Sequence, residues 1–241
     1  MRPRFLLAVL AFLPVTALAD EAAHKMAVDD PAMSMPLFHM LRVEGDWTRK
    51  DGVDLASWEA EMWIGRDVNK LFLKSEGEVR DSVAHEAELW GLYSRKVADY
   101  WDIQAGVRQD FAPEDTTFAV LGVEGLAPYF FETAAYVYVS HRGDAGARIE
   151  QSIDLPITQR FIAKPHIKAD FWAQDVPEYD AGAGLSTIET GIQFRYEIIR
   201  KFAPYLDINY QRAVGETAGV MRSSGEDAAN LTFRIGLRIW L

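Results

Sequence analysis

The sequence predicts an all-β fold: a transmembrane, outer-membrane barrel of about twelve antiparallel strands. Three observations predict it. The final segment, 230–241, keeps a two-residue period: Leu231, Phe233, Ile235, Leu237, Ile239 and Leu241 share one face, and Thr232, Arg234, Gly236, Arg238 and Trp240 the other. Segments of the same kind recur back to residue 40. The connections between them alternate between short and long, as they do when short turns lie on the periplasmic side and longer loops outside.

The elements follow in order. Arg2 and Arg4, the apolar stretch 5–15 and the small-x-small triplet Ala17-Leu18-Ala19 read as a secretory signal peptide over 1–19, with cleavage expected before Asp20. Residues 20–39 read as a flexible, polar periplasmic tether, and 40–241 as the barrel. Strands are expected at 40–48, 57–66, 69–80, 84–94, 100–111, 116–125, 129–142, 146–156, 160–174, 184–198, 203–212 and 230–241. In each, apolar residues alternate with polar ones. Ile103, Ala105 and Val107 alternate with Asp102, Gln104 and Arg108, and Val137 and Val139 with Tyr136 and Tyr138. If the strands close in lipid, the apolar face meets acyl chains and the charged face lines the lumen. Trp47, Trp58, Tyr93, Trp101, Tyr129 and Tyr196 stand near strand ends, where interfacial aromatic girdles form. Turns at 67–68, 95–99, 126–128, 157–159 and 199–202 are short. Polar loops are expected at 49–56, 112–115, 174–183 and 213–229.

Composition sets further limits. The chain has 241 residues and no cysteine, which removes disulfides, thiolate metal sites and cysteine nucleophiles. No apolar run after the signal peptide is long enough for a membrane helix. A net charge of −11 argues against nucleic acid as a partner and suits cations.

Two sets of residues bear on chemistry. The tether holds His24, Met26, Met33, Met35, His39 and Met40. Thioether sulfur suits Cu(I), and imidazole suits copper in both oxidation states. By spacing alone these residues read equally as incidental members of a polar segment. The expected lumen face holds many carboxylates, among them Glu44, Asp46, Glu59 and Glu61, interleaved with Arg and Lys. Such a lumen reads as a braced wall or as a cation path. His166 points inward in this register, and His85 outward unless a bulge intervenes. Ser140 and His141 point to opposite faces, and no G-x-S-x-G, H-E-x-x-H or phosphate loop occurs, so no catalytic activity is expected.

The runs 88–95 (ELWGLYSR), 100–110 (YWDIQAGVRQD) and 125–132 (GLAPYFFE), with Pro204-Tyr205-Leu206, resemble the copper resistance protein B family of outer-membrane proteins over 41–241. The resemblance implies copper tolerance, a Met- and His-rich periplasmic N-terminus that binds copper, and work alongside a periplasmic multicopper oxidase. Here that stretch is short, so it implies few copper sites instead of bulk storage. On this reading Met33, Met35, His39 and Met40, with His24 and Met26, capture copper, Cu(I) by preference. Glu59, Glu61 and His166, with Glu44 and Asp46, receive it in the lumen. The alternatives are a diffusion porin whose Met and His are incidental, and a docking protein for the oxidase.

Overall fold

The computed structural model describes residues 36–50, 52–223, 225 and 227–241. The expected signal peptide and His24, Met26, Met33 and Met35 lie outside the described residues. The unit described below is His39–Leu241.

Strands run in chain order as β1 (Phe38–Lys50), β2 (Val53–Gly65), β3 (Asn69–Arg80), β4 (Val83–Ala98), β5 (Trp101–Ala112), β6 (Thr116–Ala127), β7 (Phe131–Ser140), β8 (Ala145–Ser152), β9 (Leu155–Pro156), β10 (Phe161–Trp172), β11 (Gly184–Tyr196), β12 (Phe202–Ala213) and β13 (Ala229–Trp240). Both β8 and the short β9 pair with β10, so the two count as one interrupted strand and the wall has twelve. Every pairing is antiparallel. The barrel closes where β1 meets β13, in register from Arg42↔Trp240 to Trp47↔Ile235. Leu41 and Leu241 exchange backbone hydrogen bonds of 2.9 and 2.8 Å at that seam. Closure matters because it leaves no unpaired sheet edge in lipid.

The period-two pattern sorts the side chains as expected. Leu71, Val107, Leu121, Val137, Phe233 and Ile235 stand exposed on the outer face, an apolar belt that only lipid covers well. Trp47, Tyr93, Tyr129 and Tyr196 are exposed on the same surface.

Three connections differ from expectation. The polar loop expected over 49–56 is shorter than expected: β1 ends at Lys50 and β2 begins at Val53, with Gly52 at a left-handed φ of +87°. β1 and β2 therefore extend into that stretch. The segment after β12 contains a helix, α1 (Gly215–Ser223), which packs against β11 and β12. The strand expected unbroken over 146–156 parts at residues 153–154. The register of β4 also slips beside His85, where Glu78 pairs with Glu86 but Val79 pairs with Ala84. His85 is nonetheless exposed and does not line the cavity described next.

Candidate functional site

The lumen holds a packed cluster of charged and aromatic side chains and, beside it, a cavity. The cluster sits below the long loops. Arg108 on β5 holds the carboxylates of Glu88 and Asp110, each at 2.6 Å, and its guanidinium lies 5.2, 5.0 and 4.9 Å from the rings of Trp90, Phe118 and Tyr138. Arg148 on β8 reaches Glu88 at 3.1 Å, Asp170 at 2.8 Å and Glu76. Charges this deep need partners, and each arginine has several. Tyr138 stacks edge-on with Trp172 at 5.5 Å and with Phe118 at 5.5 Å.

The segment 173–183 folds over this cluster. Val176 and Ala181 bridge to each other and are buried, and Trp172 and Tyr179 pack at 5.3 Å. Tyr179 Oη donates to Asp110 Oδ2 at 2.8 Å. Burial first, then the Asp110 charge, hold the Tyr179 hydroxyl well above the usual phenol range, so it stays a donor.

Beside the cluster lies a cavity of about 590 Å³, whose lining runs from Met40 and Arg42 near the short-turn end to Glu78, Glu86 and Gln211 near the long loops. Twelve carboxylates line it, against six Lys or Arg, so its wall is cation-attracting despite the bracing. Met40 and Arg42 at the start of β1 stand on its lining. Arg42 Nη2 donates to Glu59 at 2.7 Å and to Glu61 at 3.0 Å, drawing those two carboxylates together. Lys74 Nζ donates to Glu124 at 2.6 Å and Lys168 Nζ to Glu76 at 3.0 Å. Asp46 accepts from Ser57 and, at 3.0 Å, from Tyr205.

Of the residues the sequence singles out, Met40, Glu44, Asp46, Glu59, Glu61 and His166 all line this cavity, and His39 is exposed at the start of β1. The structure does not gather them at one point. Glu59 and Glu61 are held by Arg42 on β2, while His166 stands on β10, and among the described residues no three His, Asp or Glu side chains form a ready metal site. The His166 ring lies across Gly191: a Cβ built there would be 2.7 Å from Cε1 and 2.8 Å from Nε2. Sequence reasoning missed the aromatic filling by Trp90, Phe118, Tyr138 and Trp172. Their signal is parity: each shares its face with an ionisable or polar residue two places away, as Trp90 does with Glu88 and Phe118 with Thr116.

Comparison with known proteins gives a consistent result. Residues 38–241 match the family described as Copper resistance protein B precursor. The chain is 36% identical over 215 residues to Copper resistance protein B of Escherichia coli, covering 89% of this chain and 72% of that one. It is 36% identical over 196 residues to the Copper resistance protein B homolog of Pseudomonas syringae pv. tomato, covering 81% and 67%. Among solved structures, the NanC porin superposes with a TM-score of 0.57 at 14% identity, over 83% of this chain and 98% of that one. That likeness concerns the barrel fold alone.

Proposed function

From the premise that this chain belongs to the copper resistance protein B family and forms an outer-membrane barrel, we propose that it binds copper on the periplasmic side and holds it away from the cell, with no catalytic step of its own. The single observation that carries the reading is the acidic cavity, whose lining begins at Met40 and Arg42 near the short-turn end and carries twelve carboxylates against six basic side chains. Short turns mark the periplasmic side of such barrels. Met33, Met35, His39 and Met40 take up copper there, the thioethers favouring Cu(I). The carboxylate-rich wall then attracts the cation into the lumen. The multiply paired charges beside the cavity support holding a cation over free diffusion.

The test is Cu(I) competition against a chelator, with the full chain and a variant in which Met33, Met35, His39 and Met40 are replaced. The variant is expected to lose Cu(I) binding and to leave copper-stressed cells unprotected. A variant that binds and protects like the parent overturns the tether's role. The family resemblance also implies a periplasmic multicopper oxidase as partner. Co-purification of the oxidase with the parent but not with a chain lacking residues 20–39 is the result expected.

A further inference from the structure

One stretch of the cavity wall has acceptor oxygens without donors. Gln193 on β11 and Asp207 and Asn209 on β12 are 8, 6 and 2% exposed, yet Gln193 Oε1, Asp207 Oδ1 and Asn209 Oδ1 have no hydrogen-bond partner. The two amides are not free to turn round. Gln193 Nε2 donates to Glu44 Oε2 at 2.8 Å, and Asn209 Nδ2 donates to Glu189. Reversing either would set an oxygen against a carboxylate, so the oxygens are the ends left over.

The residues that carry these oxygens are neighbours on the wall. Gln193 and Asp207 are direct cross-strand partners, and Asn209 follows Asp207 two places on, on the same face. Arg234 pairs with Asp207 in register, but its guanidinium goes to Thr232 at 3.3 Å, Ser57 at 3.4 Å and Glu78 at 3.6 Å. His166 completes the group. Its backbone partner on β11 is Gly191, whose own partner on β12 is Asn209. Because Gly191 has no side chain, the imidazole leans across β11 in the direction of β12.

Three buried acceptors cannot satisfy one another, and an unmade bond to a buried polar atom is costly. A cation satisfies all three at once. We propose that His166, Asp207, Asn209 and Gln193 form a luminal site for a divalent cation, with Cu(II) as its preferred occupant. One imidazole nitrogen, one carboxylate and two amide oxygens are a nitrogen–oxygen set with no soft donor, which suits Cu(II) better than Cu(I) and binds it most strongly in the divalent series. Only the identity of the ion rests on the copper reading above; the donor set stands on geometry. The chain would then hold copper at two chemically distinct places, a thioether tether and an oxygen-rich wall.

The experiment uses the full chain in detergent, in a background where His24, Met26, Met33, Met35, His39 and Met40 are replaced. Cu(II) is added alone and followed by competition titration and electron paramagnetic resonance. Loss of Cu(I) binding in this background concerns the tether alone, so the two readings fail separately. The expected result is a bound Cu(II) whose spectrum shows a single imidazole nitrogen. His166→Ala should abolish it, and Asp207→Asn should weaken it about ten- to hundredfold. If both variants fold, by heat-shifted gel migration, and bind Cu(II) like the background, the site is overturned. If His166→Ala does not fold, the nitrogen coupling in the background decides. A spectrum without an imidazole nitrogen, or no tight binding, overturns the proposal.

Discussion

Arg148 shows how single residues hold this lumen together. It comes from β8 and binds carboxylates from three other strands: Glu76 on β3, Glu88 on β4 and Asp170 on β10. Its side chain is 5% exposed, so its loss would take one buried cationic partner from three acidic groups at once. Arg148→Met is therefore expected to destabilise the barrel by about 3–5 kcal/mol, near the figure for breaking a buried pair. Urea unfolding in lipid vesicles measures it. A loss below about 1 kcal/mol, the scale of an exposed ion pair, would show that water reaches the network. Several of these residues are legible in the chain as charged members of the inward face. Their partners are not, because Glu76 and Arg148 meet across the barrel, and no local pattern records which strands face each other over a lumen. The same blindness hid the oxygens of Gln193 and Asn209, which read as ordinary polar positions.

At the scale of elements, what could be read was whatever depends on neighbouring residues. Alternation gave the strands, and the outward apolar stripe of β13 reads the same in the sequence as in the fold. The short connection between β1 and β2 was also legible in principle, since Gly52 supplies the left-handed conformation that a tight connection uses. Helix α1 was not, because Gly215 and Gly219 dilute its helical pattern and its buried residues are only Thr217 and Ala218. Neither was the fold of segment 173–183, which is seated on the cluster by contacts from distant strands, the Tyr179 hydroxyl among them. Tyr179 donates to Asp110, and the phenol's raised ionisation range has a definite sign. A raised folded pKa means the contribution is whole below the ordinary tyrosine value of about 10 and is lost only as pH climbs beyond it. Limited proteolysis within 174–182 should therefore stay equally slow from neutral pH to about pH 10. Tyr179→Phe removes the bond, worth about 1 kcal/mol, and should speed cleavage roughly fivefold at neutral pH. Unchanged cleavage would mean that Val176 and Ala181, and not the hydroxyl, anchor the segment.

For the molecule as a whole, the question is what closes the barrel. Its outer face and strand number are those of a porin-like wall, and the sequence reads equally as an open channel. The structure packs Trp90, Phe118, Tyr138 and Trp172, from β4, β6, β7 and β10, into the lumen, with the guanidinium of Arg108 against the first three of those rings. Rings packed at 5.5–6.5 Å leave no passage for a sugar between them. Segment 173–183 covers this packing from outside, but closure by side chains should not depend on it. Vesicles bearing the parent protein are thus expected not to swell in a pentose solution. Replacing 174–182 with a short Gly-Ser turn should leave them still closed. Combining Trp90→Ala, Tyr138→Ala and Trp172→Ala should open them, because the space those rings fill joins the 590 Å³ cavity beneath. Swelling by the parent would return the barrel to the class of diffusion porins. Swelling on loop replacement alone would make the segment the closure and the aromatic cluster only its seat. If the parent vesicles stay closed to a pentose, a cavity lined by twelve carboxylates against six basic side chains is expected to discriminate by charge, which a sugar-sized pore of the same strand number would not do.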